Sequence, residues 1–162
     1  MLAAQQKTTL SSSHQLTIEI QKLPHGQDLL LPKYETELSA GMDLLAAISE
    51  PVILNPGQRQ IIPSGVAIAL PAGYEAQIRS RSGLAFKHGV VVLNSPGTID
   101  ADYRGELKGI MINHGNEPFT ITPGMRFAQL IIAKVTHTQW DVVDTLTQDT
   151  QRGVSGFGST GI

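Results

Sequence analysis

Short apolar runs of strand length, separated by glycine and proline, are the feature of this sequence that most restricts its fold. In the first run, LTIEIQK at residues 16–22, apolar and polar residues alternate, so the apolar ones share one face of an extended chain. Similar runs occur at residues 65–70, 74–79, 89–93, 107–113, 119–121 and 130–135. Such alternation, rich in β-branched residues and broken by a turn roughly every eight to twelve residues, is typical of sandwiches and barrels. We therefore predict an all-β antiparallel fold.

One segment has the pattern of a helix: SGLAFK at residues 82–87, barely two turns long. Residues 1–15 are polar and lack the apolar core of a signal peptide, so we predict a flexible tail there. We expect one domain over residues 16–151 and a flexible, glycine-rich arm over residues 152–162. No stretch approaches the roughly 18 to 20 apolar residues that span a bilayer, so we expect no membrane partner and a cytoplasmic location.

Composition excludes several classes of protein and site. With 162 residues, of which 41% are hydrophobic and 16% charged, the chain suits one globular domain and not a disordered segment. The absence of cysteine excludes disulfide scaffolds, cysteine nucleophiles and thiolate metal sites. The net charge of -2 argues against a general binder of polyanions, so we expect no nucleic-acid partner, although a local anion site is compatible with it.

A candidate anion site lies where the predicted helix begins. Arg81, Ser82 and Gly83 follow a predicted strand and open the helix. The first amides of a helix have no intrahelical partner and favour a phosphate, while an arginine adds charge-assisted hydrogen bonds. The alternative, which the segment by itself favours, is that Ser82 simply caps the helix.

The segment NSPGTIDADYRGE, residues 94–106, is suited to reading a base. Its Pro-Gly pair predicts a tight turn between strand-like residues, and hence a hairpin. Asn94 can donate and accept a hydrogen bond at once, which suits the mixed edge of uracil. Asp100 and Asp102 point to opposite faces if the segment is extended, so at most one of them faces a pocket. Ordinary turn chemistry explains each of these residues separately, but not why Tyr103 follows so closely.

Three further segments set polar residues among small or apolar neighbours. In AGMDLLA, residues 40–46, Asp43 is either part of a site or an acid at a turn or strand end. In GMRFAQL, residues 124–130, Gln129 interrupts an apolar run, and the simpler explanation is a hydrogen bond to neighbouring backbone. The last segment, RGVSGFGSTGI, is either a frayed terminus or an arm that becomes ordered around a phosphorylated ligand.

In order and spacing, these five segments resemble the five motifs of the trimeric deoxyuridine triphosphatases (dUTPases), over about residues 16–162. The motifs read AGMDLLA, RSGLA, NSPGTIDADYRGE, RFAQL and RGVSGFGSTG. The resemblance implies a jelly-roll-like antiparallel β-barrel of the dUTPase β-clip type, a homotrimer with shared active sites, and an arm that closes over them. It also implies hydrolysis of dUTP to dUMP and pyrophosphate with Mg²⁺, which limits uracil in DNA and supplies dUMP for thymidylate synthesis.

The resemblance assigns the catalytic roles to two residues. Asp100 is expected to be the general base that activates water for attack on the α-phosphate, and Gln129 to hold that water and the phosphate. Mg²⁺ is expected to bind mainly through substrate phosphates and water, while Asp43 either steadies the hydrated ion through a water or is purely structural. The residues expected to bind phosphate are Arg81, Ser82 and Gly83 and, in the arm, Arg152, Gly158, Ser159 and Thr160.

The resemblance also assigns the recognition of base and sugar. Tyr103 resembles the aromatic residue that packs beneath the deoxyribose and leaves no room for a 2′-hydroxyl. Phe157 is expected to stack over uracil. The residues expected to lie against the base are Asn94, Lys108 and, through their backbone, Thr98 and Ile99.

Two other functions stay open. A dCTP deaminase shares the barrel but needs a proton-shuttling glutamate at the base, and we identify none in the sequence. A non-catalytic nucleotide-binding module is the second alternative, because jelly-roll folds do not dictate activity.

Overall fold

Ten β-strands and one short α-helix make up the regular structure of residues 16–147, 150 and 152–154, the part of the chain that the computed structural model describes. The strands are β1 Glu19–Lys22, β2 Met42–Leu45, β3 Val52–Leu54, β4 Arg59–Ala69, β5 Tyr74–Arg79, β6 Val90–Val92, β7 Gly97–Ile99, β8 Glu106–Asn113, β9 Phe119–Ile121 and β10 Arg126–Lys134. Helix α1 covers Ser82–His88, and a 3-10 turn covers Pro24–Gly26. The tail predicted for residues 1–15 lies outside the described residues. In the described part of the chain, no helix is long and apolar enough to cross a membrane.

The strands form two four-stranded sheets and one two-stranded sheet, all antiparallel. The first sheet has the order β1-β4-β8-β6 and the second the order β2-β10-β5-β7, while β3 pairs with β9. Both large sheets contribute to one apolar core, whose largest fully buried side chains include Leu44, Ile62, Ile78, Leu107, Met111 and Phe127. The predicted all-β, jelly-roll-like fold is confirmed, although each large sheet keeps two edges and the sheets do not close into a barrel.

Strand predictions from alternation hold best for short runs bounded by turns. Residues 74–79 and 119–121 are strands with the predicted limits, and the helix predicted at 82–87 extends one residue further, to His88. The runs predicted at 65–70 and 130–135 fall largely within the longer strands β4 and β10. Strands β2 and β3 were missed, because their sequences, MDLL and VIL, do not alternate between apolar and polar residues.

The turn at the Pro-Gly pair of residues 96–97 does not close a hairpin, so that prediction is wrong. Strand β6, before the turn, pairs with β8 in the first sheet, whereas β7, after it, pairs with β5 in the second. The strand residues on the two sides therefore satisfy their backbone hydrogen bonds in different sheets. The loop of residues 100–105 then returns the chain from β7 to β8 in the first sheet.

A bulge in β4 brings two glycines into backbone contact. The register of β4 against β8 shifts between Pro63 and Ala67, and Gly65 within this stretch has a φ of 70°. That left-handed conformation favours glycine. The Leu23 N–H donates to the Gly65 carbonyl over 2.8 Å, and a Cβ on Gly26 would lie only 2.6 Å from the Gly65 Cα. The 3-10 turn is thereby fixed against β4.

Candidate functional site

Strands β2 and β10 place Asp43 and Gln129 directly opposite each other. Side chains opposite in an antiparallel pair lie on the same face of the sheet, so these two are neighbours. A Cβ on Gly41 would lie 3.2 Å from the Gln129 Oε1, so glycine makes room for this side chain. Among the described residues the Gln129 side chain has no hydrogen-bond partner, and the backbone bond offered as its simpler explanation is not formed. Its amide is available to a ligand.

The Asp43 carboxylate, whose side chain is only 14% exposed, is bound by two arginines. The Arg81 Nε lies 3.0 Å from Asp43 Oδ1, and the Arg126 Nε lies 3.5 Å from Oδ2. The Arg81 Nη1 also donates to the Arg126 carbonyl over 3.0 Å, and the Arg126 Nη2 lies 3.2 Å from Glu35 Oε1. Both Asp43 oxygens therefore face guanidinium nitrogens, which orients Arg81 and leaves poor geometry for direct metal ligation. The sequence analysis missed Arg126, although it opens the RFAQL motif.

The start of helix α1 differs from the expected serine cap. Arg81, not Ser82, occupies the N-cap position, and no side chain caps the helix. The exposed Ser82 and Gly83 form its first turn, where amides have no intrahelical partner. The preceding Ser80 hydroxyl accepts a hydrogen bond from the Val92 N–H over 2.9 Å, which ties this loop to β6. The Arg81–Gly83 group expected to bind phosphate is therefore held in place by Asp43 on one side and β6 on the other.

Asp100 lies directly after β7, at the start of the loop of residues 100–105. Its side chain is exposed and forms no hydrogen bond or ion pair with another described residue. Its carbonyl accepts from the Tyr103 N–H over 3.1 Å, and residues 101–102 form a turn, so the segment is not extended and the condition for Asp100 and Asp102 to point to opposite faces is not met. The Tyr103 hydroxyl donates to the Glu106 carbonyl over 3.2 Å.

The rest of the group expected to read base and sugar lies near this loop. Thr98 and Ile99 are in β7, opposite Gln77 and Ala76 of β5. Asn94 is exposed in the turn before β7, and its Nδ2 would lie 3.3 Å from a Cβ on Gly97.

One chain does not bring Asp100 and Gln129 together. Gln129 pairs with Arg79 on one side of β5, and Ile99 pairs with Ala76 on the other side. At about 3.4 Å per residue along a strand and about 4.8 Å between strands, the Cα atoms of Gln129 and Ile99 lie about 14 Å apart. Asp100 continues beyond Ile99, away from the Arg79 end of β5. The two expected catalytic residues therefore belong to different regions of the chain's surface.

Glu106 is a second feature that the sequence analysis missed. Its side chain is 10% exposed; Oε1 lies 2.6 Å from the His25 Nε2 and accepts from the Gly65 N–H over 2.8 Å, while Oε2 lies 3.4 Å from the Lys108 Nζ. Burial by itself would raise the pKa of this carboxyl, but the hydrogen bonds from His25 and Gly65 outweigh burial and hold the pKa below its ordinary value. Lys108, expected near the base, is thus directed to Glu106 in the first sheet.

The arm is described only in part. Arg152 is exposed, whereas Phe157, Gly158, Ser159 and Thr160 lie outside the described residues. Among the described residues, no group of three or more His, Asp or Glu side chains is arranged to hold a metal ion.

The chain is similar to known proteins over most of its length. The dUTPase family model matches residues 27–161. The chain is 61% identical over 132 residues to the deoxyuridine 5'-triphosphate nucleotidohydrolase of Orientia tsutsugamushi (strain Boryong), which covers 82% of this chain and 88% of that relative. It is 56% identical over 146 residues to the deoxyuridine 5'-triphosphate nucleotidohydrolase of Maricaulis maris (strain MCS10), with 89% and 95% covered.

The chain is also similar in fold to solved structures of dUTPases. The dUTPase of Staphylococcus bacteriophage 80alpha with dUPNHPP has a TM-score of 0.79 and 26% identity, and the match covers 90% of this chain and 99% of that one. A mutant dUTPase from phage phi11 of S. aureus, described with a structural Mg(II) ion, has a TM-score of 0.71 and 25% identity, with 80% and 98% covered.

Proposed function

The chain belongs to the dUTPase family, and we propose that it hydrolyses dUTP to dUMP and pyrophosphate with Asp100 as the general base. The observation that carries this mechanism is the Asp100 carboxylate, which is exposed and has no partner among the described residues. Water is a poor nucleophile until a positioned carboxylate accepts its proton. Attack on the α-phosphorus with pyrophosphate leaving in line then produces dUMP. The reaction removes dUTP as a source of uracil in DNA and supplies dUMP for thymidylate.

Positioning of the triphosphate falls to Arg81, Ser82, Gly83 and Gln129. Phosphoryl transfer depends mostly on alignment and charge neutralisation, because little covalent work falls to the protein. The contacts of Arg81 support this role. Its Nε donates to Asp43 and its Nη1 donates to the Arg126 carbonyl, whereas its Nη2 has no partner among the described residues and is available to a phosphate. The substrate is Mg·dUTP, whose ion is held by phosphates and water and lowers the charge of the triphosphate. In this proposal Asp43 orients Arg81 and does not ligate the ion.

The active form is a homotrimer in which sites are shared between copies. The separation of about 14 Å between Gln129 and the β7 end supports this, because one water cannot contact both catalytic side chains of a single chain. A second copy would bring its Asp100 to the Gln129 and Arg81 of the first. Residues 136–147 add support: they form no helix or strand, and Trp140, Val142 and Leu146 are each at least 79% exposed. Apolar side chains exposed to this extent are typical of a surface that is covered in an assembly.

Base and sugar are recognised by the third motif and the arm. Asn94 and the backbone of Thr98 and Ile99 read uracil, where a thymine methyl would not fit, and Tyr103 excludes a 2′-hydroxyl. Lys108 contributes through its main chain, since its ammonium group faces Glu106. Phe157 stacks over the base, while Arg152, Gly158, Ser159 and Thr160 hold the γ-phosphate. Closure of the arm expels water and strengthens the charge contacts.

The contacts of Glu106 argue against a dCTP deaminase. A deaminase of this fold needs a glutamate that moves protons at the base. Glu106 ends the third motif, but its carboxylate is occupied by His25, the Gly65 N–H and Lys108. A carboxylate fixed in this way is a structural group and not a proton shuttle.

A pyrophosphate-release assay over dUTP, UTP, dCTP and dTTP tests the proposal, with Asp100→Asn as the main variant. We expect turnover of dUTP alone, and its loss by about 100-fold or more in Asp100→Asn, while binding of the non-hydrolysable dUPNHPP persists. Asp28→Asn, which changes an exposed acid without contacts in the described structure, is the matched control and should behave as wild type. Binding of dUTP without release of pyrophosphate would favour the binding module, and ammonia from dCTP would favour the deaminase.

A further inference from the structure

Glu106 joins two parts of the molecule that are remote in sequence. Its carboxylate Oε1 lies 2.6 Å from the His25 Nε2, 81 residues away, and accepts from the Gly65 N–H over 2.8 Å. The side chain is only 10% exposed, so these hydrogen bonds are poorly screened by water. Together, His25 and Glu106 form a contact that we call the His25–Glu106 clamp.

The clamp rests on a rigid base. Gly65 lies in the β4 bulge, and its carbonyl accepts from the Leu23 N–H at the start of the 3-10 turn that carries His25. Gly26 contacts the backbone of Gly65 too closely for any side chain. Since β4 is an inner strand paired with both β1 and β8, this base has little freedom to move.

The other side of Glu106 holds the loop of residues 100–105. The Glu106 carbonyl accepts from the Tyr103 hydroxyl over 3.2 Å, and the Tyr103 N–H donates to the Asp100 carbonyl over 3.1 Å. The Arg104 Nη1 donates to the Ala101 carbonyl over 2.6 Å and to the Tyr103 carbonyl over 2.9 Å, so the loop is tied internally. Glu106 therefore connects the loop to β4 and the 3-10 turn: its carbonyl accepts from Tyr103, its register pair with Ala67 joins it to β4, and its side chain adds the contacts with Gly65 and His25.

We propose that His25 and Glu106 are positioning residues: the clamp fixes the loop of residues 100–105 where Asp100 and Tyr103 act, and so supports discrimination of deoxyribose from ribose. The proposal rests on the proposed function, in which Tyr103 lies beneath the sugar and Asp100 faces the attacking water. Small displacements of such groups are costly: a shift of about 1 Å in a catalytic geometry lowers rates by as much as about 100-fold. Loosening the loop should therefore affect both kcat and the preference for dUTP over UTP.

Hydrogen exchange tests the clamp without any activity. In His25→Leu and Glu106→Ala, the amide of Tyr103 should exchange at least about tenfold faster than in wild type, because its partner Asp100 is no longer held. Because the His25 side chain is 45% exposed, we expect His25→Leu to fold, so this variant serves if Glu106→Ala does not fold. Asn55→Ala is the matched control: it loses the hydrogen bond from the Asn55 Nδ2 to the Gln58 Oε1 at the β3–β4 turn, which is remote in sequence from the loop of residues 100–105, and should leave the exchange unchanged. Wild-type exchange in both clamp variants would overturn the proposal.

Steady-state kinetics with dUTP and UTP test the role in specificity. We expect the ratio of kcat/KM for dUTP to that for UTP to fall at least about fivefold in His25→Leu, and to stay within about twofold of wild type in His25→Gln, whose amide can still donate to Glu106. Faster exchange with an unchanged ratio would overturn the specificity role. If wild-type protein releases no pyrophosphate from dUTP, the proposed function fails, whereas the exchange experiment still decides whether the clamp holds the loop.

Discussion

Mixed trimers of two inactive variants provide the sharpest check on a shared active site. Asp100→Asn and Gln129→Ala each remove one of the two groups expected at the attacking water. In the chain these groups lie on opposite sides of β5, with about 14 Å between the Cα atoms of Gln129 and Ile99. If each site takes Asp100 from one copy and Gln129 from another, some sites in a mixed trimer contain both native side chains.

The size of the effect follows from symmetry. In any trimer that contains both variants, one of the three sites takes native Asp100 from one copy and native Gln129 from the next, so about one third of wild-type activity returns in purified mixed trimers. If both groups came from the same chain, every site would carry one defect and no activity would return. The variants should be co-expressed with different tags, purified through both tags, and assayed for pyrophosphate release, with each pure variant as control. If verified mixed trimers release pyrophosphate no faster than the pure variants, the hypothesis that each site takes Asp100 and Gln129 from different copies would be refuted.

Four other predictions follow from the contacts described above. Tyr103→Ala should admit UTP, so that the dUTP-to-UTP ratio of kcat/KM falls about tenfold or more; an unchanged ratio would contradict the role of Tyr103. Deletion of residues 152–162 should leave the trimer intact on gel filtration but abolish most dUTP hydrolysis, and loss of the trimer would contradict this. Gly26→Ala should lower the free energy of unfolding by about 1–3 kcal/mol in denaturant titrations, because its methyl group would meet the Gly65 backbone; a change below the error of the titration would show that the turn moves freely. Finally, the lowered pKa of Glu106 means that its contribution to stability is present above its unfolded value of 4.5 and is lost as pH falls through the folded pKa. Wild type should therefore lose more stability than Glu106→Gln in acid denaturation, and equal losses would contradict the paired state.

Strands were predictable from the sequence where apolar and polar residues alternate within a run that is bounded by turns. Strand β5 alternates over six residues between turns, and both its limits follow from the sequence. The sequences of β2 and β3, MDLL and VIL, do not alternate in this way, and these strands pair with β10 and β9, which are remote in sequence. The turn at residues 96–97 was misinterpreted for a related reason: local sequence predicts that the chain turns, but not which sheet receives the strand on each side.

In the candidate site, too, residues within local motifs were predictable, whereas residues with partners remote in sequence were not. Asp43, Arg81 and Gln129 were identified because each lies in a motif with an unusual local composition. Arg126 and the pair of His25 with Glu106 were missed because their partners are remote: His25 and Glu106 are 81 residues apart, and no local pattern links them. Long-range ion pairs and hydrogen bonds follow from strand register and from the β4 bulge, which a single sequence does not specify.

The division of the site is a property of the sheet and not of a mobile loop. Strand β7 is held to β5 by three register pairs, and β10 is held to β5 by six, so neither can approach the other while β5 lies between them. Moving Asp100 to Gln129 within one chain would require β7 to leave the sheet and expose the partly buried Ile99, which packs against the core. In the proposed trimer, a second copy would complete the site without breaking any of these pairs. Assembly would therefore be the less costly way to bring Asp100 to Gln129, and the proposed mechanism requires contacts between copies as directly as it requires Asp100 itself.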